Sequence, residues 1–126
     1  MNDVEDRNID TDVTVQLSGC VQEDAKAVFD VLDRVFVCED MSVSKEPNAR
    51  GPETTVWLAT FDTARPARGE PLPPAHLTAE VGALLTGGYH AVDEIEKALA
   101  GSFDVRSLQS VSGDQETEAR MLLASR

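Results

Sequence analysis

The fold of this chain is decided by Thr54-Thr55-Val56-Trp57-Leu58-Ala59-Thr60-Phe61-Asp62, the clearest strand pattern in the sequence and the location of its only tryptophan. Side chains alternate between the two faces of a strand. Trp57, Ala59 and Phe61 therefore share one face, and Val56 and Leu58 share the other. Because both faces are apolar, the strand lies centrally in a covered sheet or offers one face to a partner.

Three further elements precede this strand. Residues Asp12 to Ser18 alternate apolar and polar side chains, which predicts a half-buried strand. Apolar residues at helical spacing then predict an amphipathic helix from Gln22 to Phe36, and a second strand follows from Glu39 to Ser44. Turn-forming residues at 45–52 join that strand to the Trp57 strand as a hairpin. The first half is thus predicted as strand, helix, strand, strand.

The second half admits two interpretations at residues 77–99, which fit either one long helix or a strand followed by a helix. Gly87-Gly88 would cost a helix interior about 2 kcal/mol. An internal comparison at an offset of 64 residues favours the strand and helix, because it superposes apolar positions of the two halves. Strands at 103–111 and 116–124 then complete the second half. The superposed positions are Val28 on Val92, Val31 on Ile95 and Val35 on Leu99.

The sequence therefore predicts an α+β fold built as a tandem β-α-β-β duplication. Repeats 12–63 and 76–126 would be joined by a proline-rich linker, 64–75, after a flexible acidic segment, 1–11. Together they would form a mostly antiparallel six-stranded sheet with two helices on one face. A single helix over 77–99 would instead give the ferredoxin-like order β-α-β-β-α-β. The expected core comprises Val13, Val15, Leu17, Phe29, Leu32, Val92, Ile95 and Leu99.

The composition and net charge argue against several classes of binding partner. The net charge of −12 opposes binding to nucleic acids and anionic lipids, since phosphate contacts require Lys and Arg. No apolar run approaches the roughly 18 residues of a membrane helix, and the acidic amino terminus is unlike a signal peptide. These features predict a cytoplasmic protein. Cys20 and Cys38, near opposite ends of the first predicted helix, are expected to be free thiols.

Two groups of residues are candidate sites. Trp57, Ala59 and Phe61 are predicted to face away from the helices, where the second half places Arg120 instead of Trp57, and so to form a partner-binding surface. The Thr86-Gly87-Gly88 junction, with His90 beside it, could bind an anion at the helix start. Neither histidine has a metal-ligand spacing and no cofactor motif occurs, so the sequence predicts no metal and no cofactor.

The sequence contains no recognisable catalytic constellation, which favours a non-enzymatic interaction or regulatory module. Its expected partner is a second copy or another protein, bound through the Trp57 face. One alternative is a small-molecule or anion-binding domain, or a minor enzyme, that uses the Thr86–His90 junction. Another is an acidic mimic of nucleic acid that blocks a DNA-binding protein, suggested by the net charge alone.

Overall fold

A computed structural model of the chain describes residues 11–48, 51–66, 76–113 and 116–125. These residues form two helices and a mostly antiparallel sheet, which is the predicted α+β class. The elements run β1 (Asp12–Ser18), α1 (Gln22–Val35), β2 (Phe36–Asn48), β3 (Gly51–Pro66), β4 (Val81–Gly87), α2 (Tyr89–Ser102), β5 (Phe103–Ser112) and β6 (Thr117–Ser125).

The sheet places β1 and β4 side by side at its centre. Its order is β2-β3-β1-β4-β6-β5 in the described part of the chain, with each recorded pair antiparallel. Each half thus contributes one central strand, and the strands β2 and β5 form the two edges. No helix among the described residues is long and apolar enough to cross a membrane.

Several predicted elements are confirmed. β1 has the predicted bounds, and α1 begins at the predicted residue. The strand predicted at 116–124 corresponds to β6, which starts and ends one residue later. The single-helix alternative for residues 77–99 is wrong, because β4 and α2 are separate, and the ferredoxin-like order fails with it. β4 begins at Val81, however, and not at Leu77.

The expected core is confirmed. All eight predicted residues are buried, and they belong to one cluster that contains residues of both helices. The face of β1 that carries Val13, Val15 and Leu17 is the face on which the helices pack. Burial of this cluster holds the helices on the sheet.

The internal offset of 64 residues is wrong by three. Gln22 and Tyr89 begin helices of equal length, so the helices correspond at an offset of 67. That offset superposes three pairs of buried residues: Ala25 on Val92, Val28 on Ile95, and Leu32 on Leu99. The apolar stripe of a helix recurs about every 3.6 residues, so a slip of three residues still places apolar positions on one another. The sequence pattern therefore did not determine the register in which the two helices correspond.

The prediction that Trp57, Ala59 and Phe61 face away from the helices is also wrong. In the antiparallel β1–β3 pair, Leu17 lies opposite Trp57 and Val13 opposite Phe61. Directly opposed residues share a face, so the Trp57 face is the helix face. Arg120 is paired with Leu84, which in turn is paired with Gln16 on the other face. Arg120 consequently cannot be the counterpart of Trp57.

Asp24 lies in the first turn of α1 but is only 2% exposed. Its carboxylate accepts hydrogen bonds from the Thr78 backbone N–H (3.0 Å) and the Thr78 hydroxyl (2.8 Å). Burial raises the pKa of Asp24, and the Thr78 hydrogen bonds outweigh it, so the pKa lies below its ordinary value. The side chain therefore fastens the segment before β4 to the start of α1.

The predicted acidic segment, apart from Thr11, lies outside the described residues. So do residues 67–75, most of the predicted linker. Its first residues, 64–66, continue β3, and Pro66 lies opposite Phe36 on the edge strand. β3 is not an edge strand, but its recorded pairing with β1 ends at Asp62, so a proline at position 66 removes no amide from that pairing.

Candidate functional site

An apolar groove lies between α1 and the edge of the sheet formed by β2 and β3. We call it the Trp57 groove, and its volume is about 370 Å³. Trp57 pairs with Val43, and Ala59 pairs with Met41, so these β2 side chains extend the helix face to the sheet edge. The lining residues are Gln22, Ala25, Lys26, Phe29, Asp30, Met41, Val43 and Trp57.

Exposure separates the three predicted partner-binding residues. Phe61 is 0% exposed and its ring lies 6.3 Å from that of Phe29, between centroids, so it belongs to the core. Ala59 is buried as well. Trp57 is half-buried and packs against the core from its edge. Of the three residues, only Trp57 can therefore reach a partner without unfolding.

Met41 and Val43 supply the exposed part of the groove. They are 54% and 55% exposed, although both lie on the helix-side face of β2. Large apolar side chains exposed side by side on an edge strand are unfavourable in water and are typical of interaction surfaces. The sequence signal for this pair was their alternation in the second predicted strand. It could not reveal that the helix leaves them uncovered.

The residues of the predicted anion-binding junction, Thr86 to His90, do not converge on a common site. Thr86 is paired with Thr14 and Glu118 on the face away from the helices. Gly87 is the last residue of β4, and a Cβ there would lie 2.5 Å from the Asp12 carbonyl oxygen. Gly88 is the N-cap of α2, and His90 is exposed. Close packing of β4 on β1 thus accounts for Gly87, and anion binding at this junction stays a prediction.

A second hollow, of about 400 Å³, lies beside the turn that precedes α1. It is lined by Gly19, Cys20, Val21, Asp24, Thr55, Thr78 and Ala79. Burial and the Asp24 charge raise the pKa of the Cys20 thiol, which makes it a poor nucleophile at neutral pH. Cys20 and Cys38 are free thiols, as predicted.

An acidic cluster, which sequence reasoning missed, brings together Asp12, Glu39 and Asp62 from three neighbouring strands. One carboxylate oxygen from each lies within 4.8 Å of the others. Asp12 and Asp62 are opposed in the β1–β3 pair, and Glu39 lies at a register shift of β2 between Cys38 and Asp40. Among the described residues, this is the one group of carboxylate, thiol or imidazole side chains arranged closely enough to hold a metal ion.

The electrostatics of the acidic cluster are unfavourable to three negative charges. Burial raises the pKa of Glu39, and a hydrogen bond with Asp12 and the charges of Asp12 and Asp62 raise it further, while Arg65 lowers it. The Asp62 carboxylate accepts a hydrogen bond from the Ala64 backbone N–H at 2.9 Å. No sequence spacing marks this cluster, since strand pairing alone assembles it.

Comparison with models of protein families, with curated proteins and with solved structures found no match to this chain.

Proposed function

We propose that this chain is a non-enzymatic interaction module that binds an extended, apolar and basic segment of another protein along the outer edge of β2. The observation that carries the proposal is the exposure of Met41 and Val43 on an edge strand, beside the half-buried Trp57. Aromatic side chains in partly covered pockets commonly anchor protein interfaces.

The edge position of β2 suggests how the segment binds. No strand of the described residues lies beyond β2, so its outer edge presents a row of backbone N–H and C=O groups. An added strand would form main-chain hydrogen bonds to that row, and every second side chain would lie on the face that carries Met41 and Val43. The alternate side chains should therefore be apolar and pack into the Trp57 groove.

The negative charge of this chain suggests which side chains the bound segment carries at its other positions. The chain carries a net charge of −12, and Asp30, Glu39 and Asp40 are acidic residues close in sequence or space to the groove. Lys26 also lines the groove, but its ammonium lies 3.0 Å from the Asp30 carboxylate. A segment with Lys or Arg is attracted to this surface, whereas a second copy of the chain is repelled.

The test is selection of short peptides from a random library against the intact protein. We expect enriched peptides to alternate apolar with basic residues, and to lose binding to Val43→Ser and Trp57→Ser. Val111→Ser is the matched control, because Val111 is 54% exposed on the opposite edge strand β5. Both valine substitutions are on the surface and should change stability by less than about 0.5 kcal/mol.

Three outcomes would contradict the proposal. Enriched peptides that bind Val43→Ser as well as the parent protein would exclude the groove. A dimer in sedimentation equilibrium that Val43→Ser dissociates would show that a second copy occupies the face. Binding that high salt abolishes and Val43→Ser does not affect would instead favour the nucleic-acid mimic, because salt screens exposed charge attraction.

We also infer that the two halves arose by tandem duplication of a β-α-β-β unit. Equal helix lengths, the three buried pairs at an offset of 67 residues and the equivalent central positions of β1 and β4 support this inference. One unit alone would leave the edge of its central strand unpaired and its apolar face partly uncovered. A separately expressed residue 12–63 fragment should therefore be unfolded or dimeric, and a folded monomer would contradict this account.

A further inference from the structure

The acidic cluster lies apart from the apolar lining of the Trp57 groove, and two of its three members are buried. Asp12 is 8% exposed and Asp62 is 7% exposed, while Glu39 is exposed. Moving carboxylates from water into a protein interior is costly unless they are paired, hydrogen-bonded or bound to a metal. The cluster therefore requires a compensating group.

Protein groups supply only part of that compensation. One oxygen of Asp12, Oδ1, is buried and accepts no hydrogen bond from the described residues. None of the ion pairs recorded in the described part of the chain involves the three carboxylates, and Arg65 acts on Glu39 through its charge alone. Asp12 thus belongs to the acidic cluster while one of its oxygens is buried without a hydrogen-bond partner, and a bound cation would compensate this arrangement.

We propose that Asp12, Glu39 and Asp62 form a binding site for a divalent cation, with Ca²⁺ preferred over Mg²⁺. Three carboxylates from adjacent strands provide hard oxygen ligands, which both ions require. The exposed Glu39 leaves one side of the cluster open to water, from which an ion can enter and which can supply its remaining ligands. Binding of the cation would reduce the net charge of the three ionised carboxylates from three negative charges to one.

The spacing of the oxygens supports the preference for Ca²⁺. Ca²⁺ binds oxygen at about 2.3–2.6 Å, so two ligands on opposite sides of the ion are separated by at most about 5 Å. Mg²⁺ binds at about 2.0–2.1 Å, which limits that separation to about 4.2 Å. The three oxygens lie within 4.8 Å of one another. Separations of up to 4.8 Å lie within the limit for Ca²⁺ and extend beyond that for Mg²⁺, so a small inward movement of the three side chains would suit Ca²⁺. Mg²⁺ would require a tighter approach and a near-ideal octahedral shell.

The first experiment is calorimetric titration of the full chain, stripped with EDTA, with CaCl₂ and separately with MgCl₂. We expect one Ca²⁺ per chain, and a rise in the thermal unfolding midpoint of at least about 3 °C at saturating Ca²⁺. Asp12→Asn and Glu39→Gln should each weaken Ca²⁺ binding at least about tenfold. Glu118→Gln removes the same charge from an exposed position on β6 and should leave binding unchanged.

The variants also separate metal binding from simple folding defects. In EDTA, Asp12→Asn should be at least as stable as the parent chain, because the substitution relieves repulsion among the acids. Its midpoint should then fail to rise with Ca²⁺. If Asp12→Asn does not fold, the exposed Glu39→Gln still tests the site, since Glu39 contributes little to the core.

Location is tested by paramagnetic Mn²⁺, which should broaden the NMR signals of residues 12, 39 and 62 before others. Several results would overturn the proposal: no heat and no midpoint shift at millimolar Ca²⁺, broadening centred elsewhere in the chain, or equal binding by Asp12→Asn. Binding of Mg²⁺ but not Ca²⁺ would overturn the size argument. If neither cation binds, a proton shared by Glu39 and Asp12 would be the compensating group.

Discussion

Replacing Gly87 with alanine should destabilise the protein through the central β1–β4 pair. A Cβ at this position would lie 2.5 Å from the Asp12 carbonyl oxygen, and 3.2 Å from both Cα and Cγ2 of Val13. Ordinary van der Waals contact begins at 3.4 Å, so the Asp12 contact must open by nearly 1 Å. Backbone atoms of a paired strand cannot move aside as a flexible side chain can.

The size of the destabilisation by Gly87→Ala follows from the central position of the β1–β4 pair in the sheet. β1 and β4 each have a further strand on the other side, so neither can shift alone. Overpacking of this kind costs typically about 1–3 kcal/mol, and we expect the upper part of that range. The opposing gain, reduced freedom of the unfolded chain, is only about 0.4–1 kcal/mol. The clash should therefore dominate.

Gly101→Ala is the matched control. Gly101 lies in α2, and a Cβ there would meet no atom within 4 Å. Alanine favours the helix over glycine by about 0.8–1.0 kcal/mol, so Gly101→Ala should stabilise the protein by up to that amount. The same substitution is thus expected to lower the stability at Gly87 and to raise it at Gly101.

The assay is urea unfolding followed by the fluorescence of Trp57, the only tryptophan. The free energy of unfolding is obtained from the midpoint and slope of each variant. If Gly87→Ala lies within about 0.5 kcal/mol of the parent chain while Gly101→Ala stabilises as expected, the close approach of β4 to Asp12 is wrong. Gly87 would then need another explanation, such as the predicted anion site.

Three further predictions concern the core, a buried carboxylate and a thiol. Phe61→Ala should cost about 3–5 kcal/mol in the free energy of unfolding, measured in urea, because Phe61 is fully buried; a change under about 1 kcal/mol would contradict its place in the core. Asp24→Ala should cost about 1.5–3 kcal/mol by removing the Thr78 hydrogen bonds. The pKa of Asp24 is lowered in the folded chain, so its contribution to stability is present above the unfolded pKa and is lost as the pH falls through the folded pKa. The thermal unfolding midpoint of the parent chain should therefore decline more steeply in acid than that of Asp24→Ala. Burial raises the pKa of Cys38, so its alkylation at neutral pH should be slower than that of a small free thiol; equal rates would contradict its burial.

The sequence by itself determined the local elements, because their signals are periodic. Alternation over Asp12–Ser18 defined β1, and apolar spacing from Gln22 defined the start of α1. The glycine pair at 87–88 separated a strand from α2, although Gly87 proved to be part of the strand. Composition and periodicity together were enough for the fold class and the core.

The tertiary structure decided those features for which the local sequence pattern fits more than one arrangement. The Trp57 strand is apolar on both faces, so only its pairing with β1 could determine which face the helices cover. A slip of three residues preserves a helical stripe, so only the tertiary structure showed that the two helices correspond at an offset of 67 residues. Asp12, Glu39 and Asp62 are distant in sequence, and the register of β1, β2 and β3 brought them within 4.8 Å. Both candidate sites arise from strand pairing, a long-range contact that no local pattern encodes.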